Sequence, residues 1–434
     1  MEQEKIVIVG GGIIGCATAY MLKKHSPSCQ ILLLDRNSSL SQECSYQNGG
    51  TLSYTFNQQW NHFNTIRSAI FSSKTSYYSF NPSIIFDTSF WFWAIRSIYS
   101  SLFPAPNTDS SIFTLGKRSS ELHTTLRKEL LQQSNPIKLE YLGNDLGLTI
   151  FYSTLQDFNK VKTRSLELNA KESTNIHVVA TRKACGKYEP TIEDWGMEIV
   201  GCVKNHSDYL SAHDSHKLSL SLAQLAAKNG AILQFDADVD KFNVEDGKVV
   251  SLTLKNGQSV VADKFILCTG AETRVLGEKL GWAPPIWPVK GLTFNMKTSK
   301  KFHHTVYLYN EFPIYVTPLE NNTYRVSAFA EFTQLNDYSV DSEKIKYLEN
   351  KVTTSLNIKD AEFSSYWSCK RPVSSDDLPL IGKFPGLKNV YINAGHGSKG
   401  SIWCLSSAEL VSFIILGKSP LIDPRAFEPS RFLI

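Results

Sequence analysis

Lys5-Ile6-Val7-Ile8-Val9-Gly10-Gly11-Gly12-Ile13-Ile14-Gly15, with Asp35 twenty residues further on, is the stretch that decides how this chain folds. The apolar run reads as a strand, and the glycines turn it straight into a helix. Gly10 admits the tight turn, Gly12 lets backbone approach a pyrophosphate, and Gly15 lets the helix lie close against the strand. Phosphates would rest on the positive end of that helix. A second apolar strand ends at Asp35, whose carboxylate suits ribose hydroxyls. A glycine-rich turn alone is a weak sign. Strand, helix and correctly spaced acid together predict a dinucleotide-binding βαβ unit.

Outward from this hairpin, 434 residues exceed what one core usually holds, so two domains are expected. A hydrophobic content of 42% with 20% charged residues describes a globular chain, and a formal charge of +4 with no basic tract excludes nucleic acid as a partner. The eight cysteines are scattered, with no CxxC pair or zinc spacing, so buried free thiols and no metal site are expected. Glu2 and Glu4 stand where a leader would be basic, and no run reaches the roughly 18 apolar residues of a membrane span. A cytoplasmic location follows as the expectation. Phe90-Trp91-Phe92-Trp93-Ala94-Ile95 reads as a core helix, with peripheral contact at a bilayer interface as the other reading.

Residues 56–205 lose the βαβ rhythm, with helical patterns near 59–72, 88–102 and 110–132 and strands near 139–142 and 147–152. The doubly wound character returns with an amphipathic helix over 211–228 that stops at Asn229-Gly230. Strands over 231–235, 239–244, 249–254 and 259–268 follow, with Asp246-Gly247 and Asn256-Gly257 as hairpin turns. Residues 285–331 alternate as strands, 341–355 form a helix, and Val390–Asn393 leads through Gly395–Gly400 into a long apolar helix. The fold class is therefore α/β: a Rossmann-like domain in three pieces (1–55, 206–284 and 365–434) with an inserted α+β substrate domain (56–205 and 285–364). An interrupted nucleotide fold closed by a C-terminal glycine turn suits FAD better than NAD. The helix N-terminus at Gly397–Ser401 would stabilise negative charge on a reduced flavin.

Five pieces recur in this order in a known family: the first glycine turn, Ser45…Asn48-Gly49-Gly50, Trp287-Pro288-Val289-Lys290-Gly291, Arg371-Pro372…Leu378-Pro379-Leu380-Ile381-Gly382, and Asn393-Ala394-Gly395-His396-Gly397. The chain resembles the FAD-dependent amino acid oxidoreductases of the DAO type over nearly its whole length, most of all their D-amino acid dehydrogenase (small-subunit) branch. The resemblance implies that Gly10, Gly12, Ile14, Gly15, Asp35 and Arg36 hold the ADP half of FAD. Ser45, Asn48 and Gly49 would meet the pyrophosphate and ribityl region, Val239 the adenine, and Thr269-Gly270 the cofactor through bare backbone. His396, Gly397, Ser398, Lys399 and Gly400 would line the flavin, with His396 bonding the turn beside it. Two departures stand out. Lys399 replaces an apolar residue and either faces flavin O2 or solvent, and Ser-Tyr-Gln-Asn stands where small residues are usual.

Arg371 is the candidate for gripping a substrate carboxylate, because a guanidinium binds it as a bidentate fork and so orients Cα–H. Lys290 is the second catalytic candidate, beside the ring, where it would polarise it or help oxygen react; a structural or solvent role is the equal alternative. Tyr315, Tyr324 and Glu331 are expected to roof the substrate cavity, with a buried aromatic core as the default for the tyrosines and pairing with a neighbouring basic group as the other reading of Glu331. The implied reaction is oxidative deamination of amino acids, D-amino acids foremost, to 2-oxo acids and ammonia. A hydride passes from Cα to flavin N5, and a quinone or other carrier takes the electrons. An oxygen-using glycine or sarcosine type of oxidase and a non-catalytic flavoprotein subunit are the alternatives.

Overall fold

The computed structural model describes residues 3–54, 63–105, 108–131, 147–172, 174–206 and 214–433. The strand expected near 139–142 and the first residues of the helices expected at 59 and 211 lie outside them. At the centre of the cofactor side is a six-stranded sheet. Its order is Leu380–Lys383, Val390–Ala394, Lys264–Leu267, Lys5–Val9, Gln30–Leu34 and Ile232–Gln234. All neighbours are parallel except the first pair. Its strands thus come from three separated stretches of chain. Ile6, Val7, Ile8 and Val9 are all buried because both faces of the sheet are covered.

Three helices cover one face. The first helix, Ile13–His25, is buried nearly all round, which explains its lack of a polar face; it packs on Gly400–Ile415 and Ser215–Lys228. Gly10 adopts φ +104°, a conformation that side chains rarely take, and a Cβ on Gly15 would run into the Gly10 carbonyl. The serines of Gly400–Ile415 do not break it, because Ser406, Ser407 and Ser412 donate back to carbonyls one turn earlier. The long helix Thr108–Leu131 is tied to this layer by Arg118, which grips buried Glu409 through two 2.8 Å bonds.

The other face carries a three-stranded antiparallel sheet, Val239–Glu245, Lys248–Leu254 and Ser259–Val261. The run expected as one strand over 259–268 is therefore two strands in two sheets. The chain crosses between them at Ala262-Asp263, where the Asp263 carboxylate accepts from Lys5 N at 2.7 Å.

A nine-stranded sheet forms the second layer system. Its path runs Glu362–Ser374, Ile286–Lys297, Thr323–Phe332, Ile314–Pro318, Thr305–Tyr309, Leu148–Tyr152, Gly201–Asn205 and Ile176–Ala180, with Tyr78–Phe80 beside Thr323–Phe332. Glu362–Ser374 pairs with Ile286–Lys297 along most of its length, so the expected boundary at 364/365 cuts a continuous strand of this sheet. All eight cysteines are free thiols and seven are buried. Among the described residues no helix is long and apolar enough to cross a membrane.

Candidate active site

One cavity of about 430 Å³ runs from the N-terminal hairpin to the nine-stranded sheet. Its cofactor-side wall carries Gly10, Gly12, Ile14, Asp35, Arg36, Ser45, Asn48, Gly49, Val239, Thr269, Gly270, His396, Gly397, Ser398, Lys399 and Gly400. Gly15 lies behind this wall as the close contact between helix and strand.

The first helix begins at Gly12, and Ser45 Oγ accepts from Ile13 N at 3.0 Å. That hydroxyl satisfies a free amide at the positive end of the helix, where phosphates bind. Asp35 accepts from Gly11 N at 2.7 Å and Asn37 N at 2.8 Å. Burial pushes its carboxyl up, against those bonds. Arg36 lines the cavity, and Glu43 and Glu272 pair with its guanidinium at 2.6 and 3.0 Å. Asn48 donates to Ser401 Oγ at 2.7 Å and so links the first loop to the start of Gly400–Ile415.

The C-terminal turn differs from expectation in two ways. His396 is 2% exposed, and neither ring nitrogen has a hydrogen-bond partner, so it does not bond the turn. Burial pulls its pKa down to about 3, leaving a neutral imidazole. Lys399 faces neither solvent nor open cavity alone: its Nζ sits 2.7 Å from Asp377 Oδ2, with both side chains buried, and 5.1 Å above the Trp403 ring. The fit to FAD rests on the hairpin, which offers backbone at a helix N-terminus on the wall of the cavity.

The opposite wall is a row across the large sheet. Thr293 pairs with Ser327, Ser327 with Tyr315, Tyr315 with Tyr307 and Tyr307 with Ile150, and all five line the cavity. Paired residues share a face, so one pleat line makes the floor. The Tyr307 and Tyr315 rings stack at 3.9 Å and 6°. Tyr77, Tyr78 and Tyr309 also line the cavity, and burial pushes the phenols of Tyr77, Tyr78, Tyr307 and Tyr315 up and keeps them neutral.

Arg371 enters at this wall from Glu362–Ser374. Its Nη1 donates to the Phe329 carbonyl at 2.8 Å. Phe329 sits at φ +66°, beside the register shift opposite Lys290 and Leu292, and that strained turn aims its carbonyl inward. A Cβ on Gly291 would collide with the guanidinium, so this glycine makes the seat for Arg371.

Lys290 is one residue out of step and does not line the cavity. Strand alternation turns it to the other face, where Asp337 Oδ2 at 2.5 Å, Glu331 Oε2 at 3.3 Å and Ser339 Oγ at 3.2 Å enclose its ammonium. Its expected place beside the cofactor is thus corrected. Of the expected roof residues, Tyr315 lies in the cavity. Tyr324 instead accepts from Phe302 N, and Glu331 pairs with Lys344 at 2.8 Å. The sequence reading missed Tyr77, Tyr78, Tyr307, Tyr309, Asp377 and Gly291. For Tyr307 and Tyr309 the i, i+2 spacing within Thr305–Tyr309 was a usable signal; for Asp377 and Gly291 there was none.

Comparison with known proteins gives the same picture. D-amino acid dehydrogenase of Allorhizobium ampelinum is 26% identical over 435 residues, covering 99% of this chain and 98% of that one. D-amino acid dehydrogenase of Vibrio vulnificus is 25% identical over 421 residues, covering 95% and 96%. Among solved structures, glycine oxidase from Geobacillus kaustophilus superposes with a TM-score of 0.77 at 18% identity, covering 99% of each chain. L-proline dehydrogenase from P. horikoshii gives 0.76 at 17% identity, covering 100% of this chain and 98% of that one. The likeness of these structures establishes the fold. The family model for FAD dependent oxidoreductases (DAO) matches residues 5–414, and the chain belongs to that family.

Proposed function

We propose that this enzyme oxidatively deaminates amino acids, D-amino acids foremost, to 2-oxo acids and ammonia, and passes the electrons to a quinone or similar carrier. The observation that carries this reading is Arg371, a buttressed guanidinium on the wall of a cavity that begins at the dinucleotide hairpin. The names of the relatives that match end to end support the D-amino acid class.

In this reading the parallel sheet and its helices hold FAD and the large sheet holds the substrate. Gly10, Gly12, Ile14, Asp35, Ser45, Asn48, Gly49, Val239, Thr269 and Gly270 would bind the cofactor from the hairpin to the ribityl chain. When bound, FAD supplies a two-electron acceptor for the hydrogen lost from Cα. Arg371 binds the substrate carboxylate as a fork and fixes the direction of Cα–H. The form of the substrate that reacts is the one with a neutral amine. The tyrosine wall keeps water out, which strengthens the grip of Arg371. Gly397–Gly400 presents the N-terminus of Gly400–Ile415 to charge that develops on the cofactor side, and Asp377 keeps Lys399 from adding a full free cation there. With Lys290 enclosed by Asp337 and Glu331, the oxygen-using alternative loses the cation assigned to it.

The test is anaerobic mixing of the FAD-loaded protein with a panel of D- and L-amino acids while the visible flavin absorbance is followed. Bleaching by D-amino acids supports the proposal. Bleaching by L-amino acids alone overturns the stereochemical part, and no bleaching by any substrate points to the non-catalytic alternative. Stoichiometric hydrogen peroxide in air would replace the carrier with oxygen.

A further inference from the structure

Two of the eight cysteines meet in the wall of the cavity. Cys44 is half-buried and precedes Ser45, whose hydroxyl accepts from Ile13 N at the start of the first helix. Cys369 is buried and stands two residues before Arg371 on Glu362–Ser374. Strand alternation gives Cys369 and Arg371 the same face, and both line the cavity together with Cys44. The two sulfurs lie within hydrogen-bonding reach of each other. The reaction proposed above uses neither thiol.

Their surroundings make the two thiols unequal. Hydrogen bonding from Cys44 pulls the Cys369 thiol below its usual range, aided by the Arg371 charge and the Gly291 amide and opposed by burial. The same bond, together with burial, pushes Cys44 up. The thiolate is the form that oxidants attack, so Cys369 is the reacting sulfur and Cys44 the one placed to resolve it. The other thiols lack this combination. Burial pushes Cys16, Cys268 and Cys404 up, and Cys29 faces the Ser26 hydroxyl at 3.0 Å. Cys185 and Cys202 also approach each other, but both are 0% exposed within the core of the large sheet, away from the cavity. They are a built-in control: the same pairing without access.

We propose that Cys44 and Cys369 form a redox modification site, which hydrogen peroxide closes to a reversible disulfide. The Cys369 thiolate attacks one peroxide oxygen, the O–O bond breaks and hydroxide leaves, with a sulfenic acid left on Cys369. The Cys44 sulfur then loses its proton and attacks that sulfur; the S–S bond forms, the S–O bond breaks and water leaves. Two thiols thus give up two electrons and two protons, and the peroxide becomes two waters. The bond ties the loop that meets the first helix to the strand that carries Arg371, and so links the two walls of the cavity. An added dithiol reverses it by exchange. This goes beyond the amino acid reaction and does not depend on it.

The test exposes the full-length FAD-loaded protein to hydrogen peroxide and reads its disulfides by mass spectrometry of unreduced peptides. Wild type should yield a linked Cys44–Cys369 peptide pair and two thiols fewer on titration after denaturation, and dithiothreitol should restore both. Cys185 and Cys202 should stay thiols under the same exposure. With the resolving thiol removed in Cys44→Ser, dimedone should trap the sulfenic acid on Cys369 at least roughly tenfold more than in wild type. In Cys369→Ser, Cys44 should take up no more dimedone than Cys185 or Cys202. The proposal is overturned if wild type forms no Cys44–Cys369 link, or forms it no faster than a Cys185–Cys202 link. Equal trapping on Cys44 in Cys369→Ser and on Cys369 in Cys44→Ser would overturn the assignment of the reacting sulfur. The wild-type measurement decides the site itself even where a variant does not fold.

Discussion

The two ends of the cavity are built from different materials. The hairpin end is made of backbone: glycine turns, amides at a helix N-terminus and parallel strands within a stretch of 35 residues. The substrate end is made of side chains brought side by side by strand register, and its members come from positions as far apart as Tyr77 and Arg371. Backbone tolerates almost no substitution, whereas a side-chain wall can be retuned one residue at a time. That contrast fits a fixed cofactor and an adjustable substrate.

The hardest blow to the hairpin end is Gly15→Val, which would force the first helix off its strand. It should cost at least about 3 kcal/mol and yield protein without visible flavin absorbance, as read from the purified protein and its urea midpoint. Breaking the clamp between Thr108–Leu131 and Gly400–Ile415 comes next. Arg118→Ala leaves Glu409 buried and unmatched, and a loss of about 3 kcal/mol in urea unfolding is expected with KM unchanged. A shift in KM instead would show that the clamp positions the site.

At the substrate end, Arg371→Ala should lower kcat/KM roughly a hundredfold while FAD stays bound. An unchanged value would remove this residue from substrate binding. Gly291→Ala tests the seat of Arg371 rather than the residue itself. A rise of about tenfold in KM with little change in stability is expected, and an effect on stability alone would make Gly291 a packing glycine.

A further test concerns His396. With the folded pKa near 3 and the unfolded value near 6.5, the folded chain binds fewer protons between them. Its contribution to stability is therefore complete above pH 6.5 and is lost as pH falls toward 3. The His396 imidazole should still be neutral at about pH 5 by NMR, and a protonated ring there would contradict its burial.

What could be read from the sequence follows the same division. Val7, Gly10 and Asp35 lie in one local pattern, so the cofactor end needed no knowledge of distant pairing. Arg371 could be picked out by its resemblance, but its support could not. Gly291 and Phe329 meet it only through two antiparallel pairings and a bulge. Lys290 shows how narrow the margin is: a shift of one residue along a strand moves a side chain from cavity to core. The split of the run 259–268 was hidden too, since Ala262-Asp263 is not a turn signal that sequence rules recognise.

The three-piece sheet has a consequence for how the chain folds. The strand Lys5–Val9 pairs with the nearby Gln30–Leu34 on one edge but with the distant Lys264–Leu267 on the other, and that strand pairs with Val390–Ala394. Long loops must close before these contacts form, so the sheet assembles slowly and late.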